Sequence, residues 1–265
     1  MSSPSDAWHA WRSARLEAVT SVPGNLALVS YQPVGAAPEP IEGVPDATVR
    51  RAEGKEGVLV TAPSALGMRV DGAPIDGETF VPRLGADGTP VVRCGHLSFD
   101  VFSLDGTDHE LRVYDDRSEN LRLFAGIDAY DHDPSLAVEG VFTAYDATDQ
   151  VAWDFTRAQD SGHTKKVPGT ITLHLGGEPR ELLAFLDGND LVLVFADATT
   201  GRETYAPGRF LRIPRPEADG AVTVDFNRAF VPPCGFSDFY SCPIPPPQNR
   251  LPVPVRAGEK RALWK

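Results

Sequence analysis

From Leu26 to about Phe142, short runs rich in Val, Leu and Phe alternate with Gly, Pro and Asp. That rhythm suits short strands joined by turns. LALVSY (26–31), GVLVTA (57–62), HLSFDVFSL (96–104) and HELRVYD (109–115) are the clearest runs. The alternation His96-Leu97-Ser98-Phe99-Asp100-Val101-Phe102 predicts a strand with one apolar and one polar face. Leu104-Asp105-Gly106-Thr107 predicts a hairpin, and Asp71-Gly72 and Asp87-Gly88 predict further turns. The region reads as a small antiparallel sandwich.

Ahead of it, the spacing of Trp8, Trp11, Arg15 and Val19, with Ala7, Ala14 and Ala18, predicts an amphipathic helix capped by Ser5 or Asp6 and ended by Pro23-Gly24. The two tryptophans read as a packing stripe. A helical turn is expected around Glu119 to Phe124, then a loop from Asp128 to Pro134. GTITLHLG (169–176), RELLAFLD (180–187) and DLVLVFAD (190–197) follow as three strands, with Asp187-Gly188-Asn189-Asp190 as a hairpin turn. This meander suggests a curved sheet or partly closed barrel. From Pro232 onward prolines are too dense for a helix or a central strand. The Cys, Phe, Tyr, Leu and Val among them indicate an extended segment packed on the body. The expected architecture is mainly β: a helix over 1–24, a sandwich-like subdomain over 25–134, and a barrel-like subdomain with a proline-rich tail over 135–265.

The chain has 265 residues, 42% of them hydrophobic, which is enough to bury a core without disulfide or metal. A net charge of −12 argues against nucleic acid and against an anionic membrane surface. The start, MSSPSDAWHAWRSARLEAV, lacks the basic and apolar parts of a signal peptide, and no run approaches a membrane span. Three cysteines, an odd number, fit a reducing compartment, so a cytoplasmic protein is expected.

No H-x-x-x-H or H-E-x-x-H pattern occurs, nor a phosphate-binding glycine loop or nucleophile elbow. Neither a metal nor a cofactor is called for. Asp131-His132-Asp133 carries metal-binding atoms but reads first as a solvated acidic loop. Cys234 and Cys242 lie eight apart, outside the usual zinc spacing. They remain open to three readings: buried thiols, a disulfide, or a redox or nucleophilic pair, which would need a positive charge or base nearby.

Two polar motifs remain. In the first, Asp197-x-Thr199-x-Gly201 leads to Thr204-Tyr205-x-x-Gly208-Arg209. As a hairpin, Asp197 and Thr199 bond turn backbone. As a site, Arg209 grips a carboxylate or phosphate in two places. In the second, Asp225 and Asn227 share a face of one strand, with Asn227 free to orient a ligand or to tie down the tail.

FADATTGRETYAPGRFL, VDFNRAFVPPCGFSDFYSCPIPPPQNRLPVPVRAGEK and the upstream LRVYDDRSENLRLFAGI resemble the bacterial and haloarchaeal family called domain of unknown function 1684. The family carries no activity to transfer. The resemblance implies that Arg112, Asp115, Asp197, Thr199, Thr204, Tyr205, Arg209, Asp225, Asn227, Cys234, Cys242 and Asn249 are the positions of interest. Two positions depart from the pattern. Phe230-Val231 stands where the family reads Tyr-Asn, and Ala206-Pro207 replaces a Gly-Ala pair.

Three functions follow. The first is a nucleotide-independent enzyme with Arg209 as anion clamp and Asp225, Asp197 or Asp115 as acid or base. The second is a binding protein for a small polar or anionic metabolite, held by Arg209, Tyr205, Thr204, Asn227 and Arg112. The third is a structural or interaction protein, in which Arg209, Asp225, Asn227 and Asn249 lock the tail onto the sheet. A ligand pocket is the first expectation; burial of these side chains with their donors paired internally would favour the third.

Overall fold

A computed structural model describes residues 4–85, 88–103, 108–157 and 162–265. The Leu104–Thr107 hairpin signal and Asp87 lie outside the described residues. The chain forms two compact units, Ala18–Leu123 on the one hand and Met1–Glu17 with Phe124–Lys265 on the other.

Helix α1 runs Pro4–Thr20. It starts ahead of the expected cap, so Asp6 falls in the first turn, where a negative charge suits the helix dipole. Trp8 and Val19 are buried and Trp11 and Arg15 half-buried, as the helical spacing predicts, whereas Ala14 and Ala18 are exposed.

The unit Ala18–Leu123 holds β1 (Leu28–Pro33), β2 (Glu39–Ile41), β3 (Val44–Arg51), β4 (Gly57–Ala62), β5 (Arg69–Val70), β6 (Ala73–Pro74), β7 (Gly77–Pro82), β8 (Val92–Cys94), β9 (Leu97–Phe102), β10 (Glu110–Asp115) and the short helix α2 (Glu119–Leu123). Two antiparallel sheets form, in the orders β1-β10-β9-β8-β5-β6 and β2-β3-β4-β7. Val49, Val60 and Val81 from one sheet share a core with Phe99, Leu111 and Val113 from the other. In β9 the alternation does not separate core from solvent. Ser98 and Asp100 on the polar face are as buried as Phe99 and Val101, and the Asp100 carboxylate accepts the Tyr114 hydroxyl at 2.7 Å. Burial pushes the Asp100 carboxyl above the usual range, against the nearby Arg112 charge.

The other unit contains β11 (Phe124–Ala129), β12 (Ala137–Ala152), β13 (Thr164–Leu175), β14 (Glu178–Asp187), β15 (Asp190–Phe195), β16 (Arg209–Pro214), β17 (Gly220–Asp225) and β18 (Glu259–Trp264). Six of these strands make one antiparallel sheet, β16-β15-β14-β13-β12-β17, and β11 pairs with β18. β14 and β15 pair up to Asp187↔Asp190, the predicted two-residue hairpin. The six-stranded sheet curls into a half-barrel, which brings its edge strands β16 and β17 into contact.

Its concave side is filled by Phe142, Phe195, Leu211 and Phe226, and by Leu251, Val255 and Ala257 from the proline-rich segment. Burying Leu251 and Val255 contributes about 1.5–3 kcal/mol each. The segment is not one continuous polyproline helix. It makes 3₁₀ turns at Pro233–Gly235 and Pro247–Asn249 before ending in β18. Among the described residues no helix is long and apolar enough to cross a membrane.

Candidate functional site

After β15 the chain turns through Asp197 to Thr204. Asp197 Oδ1 accepts the Thr199 N–H at 2.6 Å and its hydroxyl at 2.5 Å, and the Thr199 and Thr204 hydroxyls lie 3.0 Å apart. This turn leaves Asp197 Oδ2 facing Arg209 Nη2 at 2.6 Å, with neither side chain exposed at all. The same Nη2 donates to the Val255 carbonyl at 2.7 Å, while Nη1 donates to the carbonyls of Ala257 and of Glu259, the latter at 3.2 Å. The accepting residues lie two apart, the spacing at which a near-extended chain turns its carbonyls to one side. The guanidinium stacks over Phe195 at 5.1 Å, and its Nε has no partner among the described residues. Burial pushes the Arg209 pKa down and the Asp197 charge opposes it. The aspartate that meets Arg209 is therefore Asp197, not Asp225, and the guanidinium faces backbone, not a cleft.

Two glycines permit the close fit. Gly258 has φ +74, and a Cβ there would come within 2.4 Å of the Ala229 carbonyl oxygen. Gly208, just before Arg209, has φ +104, and a Cβ would meet both the Phe195 carbonyl oxygen and Pro245 at 2.7 Å.

Asn249 does for β14 and β15 what Arg209 does for the last stretch of the segment. Its Nδ2 donates to the Leu183 and Val194 carbonyls at 2.8 Å, and its Oδ1 accepts the Leu183 N–H at 2.9 Å. The β14–β15 ladder stops at Ala184↔Leu193, so the side-chain amide takes the place of the next peptide pair. Backbone bonds from Ala196 N–H to the Asn249 carbonyl and from Leu251 N–H to the Ala196 carbonyl extend the join.

Asn227 is also buried, and it sits in a 3₁₀ turn after β17 instead of on the strand. It exchanges both amide bonds with the backbone of Asp133 at 2.8 Å, and Nδ2 also donates to Asp225 at 2.9 Å. Its carbonyl accepts the Trp8 indole N–H at 3.1 Å, which ties α1 to the same point.

Tyr205 is half-buried and donates its hydroxyl to the Cys234 carbonyl at 2.7 Å; Thr204 is buried against Thr199. Asp225 is half-buried and faces Arg228 at 3.5 Å. These two line an open cleft of about 310 Å³ with Trp8, His132, Pro134 and Ala137. The His132 ring leans on Trp8 at 5.7 Å. Arg112 and Asp115 belong to the other unit. There Arg112 lies over the Phe102 ring and pairs with Glu110 at 3.3 Å, and Asp115 accepts the Arg117 N–H at 2.7 Å. Among the described residues no group of three or more His, Cys, Asp or Glu side chains is placed to hold a metal.

Two further groups have no signal in local sequence. Glu259, 2% exposed, pairs with Arg15 of α1 at 3.2 Å and accepts the Val231 N–H at 2.8 Å; burial pushes its carboxyl up against the pull of Arg15. Glu203 receives Arg256 at 2.7 Å and the Tyr130 hydroxyl at 2.8 Å, which together draw its pKa down to about 2. Each joins residues remote in the chain, so no spacing rule finds them.

The fold and these contacts define a class: a half-barrel β-protein whose proline-rich C-terminal segment is fastened by buried Arg, Asn and Glu side chains. Residues 122–260 match the family described as protein of unknown function (DUF1684), and the chain belongs to that family. A solution NMR structure of an uncharacterised protein from Haloarcula marismortui is 34% identical, over 52% of this chain and 77% of that one, with a TM-score of 0.43. No functionally curated protein matches the chain.

Proposed function

We propose that the Arg209–Asp197–Asn249 motif is a fold clasp for the C-terminal segment, and that this is a structural or interaction protein, not an enzyme working through Arg209. One observation carries this reading: the Arg209 side chain is wholly buried, with both terminal nitrogens engaged by Asp197 and three carbonyls of the segment. A ligand clamp keeps donors for its ligand, whereas a clasp directs them at its own backbone. The test is Arg209→Met, followed by thermal unfolding and limited proteolysis. Breaking a buried pair costs ~3–5 kcal/mol, so the midpoint should fall by roughly 10 °C and cleavage should appear between Pro232 and Pro254. A midpoint within a few degrees of wild type, with the segment still protected, would refute the clasp.

A second reading rests on the open cleft lined by Trp8, His132, Asp225 and Arg228. It joins the aromatic wall of Trp8 and His132 to the charges of Asp225 and Arg228, a combination suited to a small polar or anionic molecule. A thermal-shift screen of such metabolites tests it. A ligand at a hundred times its Kd adds ~2.7 kcal/mol, and Arg228→Ala should remove the response. Silence across the screen, or a response that Arg228→Ala leaves intact, removes this reading.

A further inference from the structure

The clasp bonds run through backbone, Arg, Asn and Glu, and leave two sulfurs to account for. Cys234 and Cys242 are buried thiols of the C-terminal segment, not joined in a disulfide, 9% and 4% exposed. The backbone between them folds back on itself, with Gly235, Phe236 and Ser237 N–H groups bonded to the carbonyls of Pro232 and Pro233. Thr156 completes the fold: its hydroxyl accepts the Cys242 N–H at 2.9 Å, and its own N–H donates to the Cys242 carbonyl at 2.8 Å. The Cys242 sulfur consequently accepts the Cys234 N–H at 3.3 Å and lies within hydrogen-bonding reach of the Cys234 thiol. Residues eight apart in sequence are thus in side-chain contact.

The contacts of Cys234 favour its thiolate, against its burial. The Tyr205 hydroxyl, which donates to the Cys234 carbonyl, and the Thr156 hydroxyl, which accepts the Cys242 N–H, lie beside Cys234. Lys165 lies over the Phe155 and Phe185 rings at 5.4 and 5.0 Å; burial pushes its pKa down, and the charges of Asp187 and then of Cys242 oppose that shift. Asp238, whose charge acts on Tyr205, is the opposing group. The hydrogen bond from Cys242, more than any other contact, holds the Cys234 thiol below the usual range despite burial. Among the described residues Cys94 has no such neighbours, and burial pushes its thiol up. The molecule therefore contains its own control.

We propose that Cys234 and Cys242 are a redox couple, with Cys234 as the attacking thiol, hydrogen peroxide as the oxidant and a Cys234–Cys242 disulfide as the product. A small uncharged oxidant suits sulfurs this deeply set. Cys234 ionises and its thiolate attacks peroxide; an S–O bond forms, the O–O bond breaks, and the departing hydroxide takes up the proton that Cys234 released on ionising, becoming water. Cys242 then attacks the sulfenic sulfur; the S–S bond forms, the S–O bond breaks, and the second hydroxide leaves as water with the Cys242 proton. Two thiols are oxidised by two electrons and one peroxide is reduced to two waters. A dithiol reductant reverses the change. The product closes a covalent ring around the loop that carries the exposed Phe239.

The test treats purified Cys94→Ser protein with one equivalent of peroxide and follows intact mass and peptide maps. The expected product has lost the mass of two hydrogens, links Cys234 to Cys242, and returns to the starting mass with dithiothreitol. In Cys242→Ser the sulfenic acid should persist at Cys234 and be captured by dimedone, whereas Cys234→Ser should leave Cys242 unmodified at the same dose. In the wild-type chain Cys234 should be oxidised roughly tenfold faster than Cys94. If either variant fails to fold, differential alkylation of the wild-type chain decides alone. Folded protein that keeps both thiols under peroxide, or that oxidises Cys94 first, overturns the proposal.

Discussion

Two Arg–Asp pairs lie in the same unit and behave as different objects. Arg209 and Asp197 meet at 2.6 Å with no exposure on either side, whereas Arg228 and Asp225 face each other at 3.5 Å with 46% and 28% of their side chains exposed. A buried charge that loses its partner is left unpaired, so removing either member of the first pair is costly. At the cleft, solvent screens the second pair and competes for both groups, so it contributes little to folding. Residue type is identical in the two; burial is what differs.

Breaking the first pair tests the contrast most severely. Asp197→Ala strands a buried guanidinium and also unties the Thr199 turn, and should cost ~3–5 kcal/mol in denaturant unfolding. A loss below about 1 kcal/mol would place Arg209 and Asp197 with ordinary surface pairs. Asn249→Ala leaves one N–H and two carbonyls of β14 and β15 without their side-chain partner, and unsatisfied buried groups of this kind cost about 1–3 kcal/mol. Its measured cost, added to that of Asp197→Ala in the double variant, shows whether the two ends of the clasp act as one unit.

Glu203 sharpens the comparison through pH. Its carboxylate is stabilised by Arg256 and Tyr130, so its folded pKa lies near about 2, below its ordinary 4.5. A depressed acid contributes stability that is complete above pH 4.5 and is lost as pH falls towards 2. Glu203→Gln should therefore flatten the acid limb of the stability curve in that window; an unchanged slope would show that the pair forms equally in the unfolded chain. The smallest effect belongs to the cleft: Arg228→Ala should shift stability by only ~0–1 kcal/mol while removing any ligand response. A larger loss of stability would make that pair structural too.

Much of the scaffold was legible in the chain. GVLVTA is β4 to the residue, and the turn at Gly188-Asn189 joins β14 to β15 as its composition predicts. The apolar residues set among the prolines mark the tail as a packed segment, and Leu251 and Val255 do enter the core. Local conformation and side-chain size suffice for those conclusions, because both act over a few residues. The polar face of β9 shows where that logic ends: alternation places Ser98 and Asp100 on one side, but only the surrounding packing buries them.

The candidate site obeys the same division. By itself the sequence determined that a strand would end near Asp197 in a turn bonded by Asp197 and Thr199, and that the proline-rich tail would pack on the body; it placed the next strand near Thr204, whereas β16 begins at Arg209. Tertiary structure alone decided that Arg209 meets Asp197 and the carbonyls of residues 255, 257 and 259, that Asn249 replaces a peptide pair between β14 and β15, and that Arg15 finds Glu259. An arginine, an asparagine and a thiol carry the same donors wherever they lie. Whether those donors reach a ligand, a backbone carbonyl or another sulfur depends on what the rest of the chain has excluded from water around them.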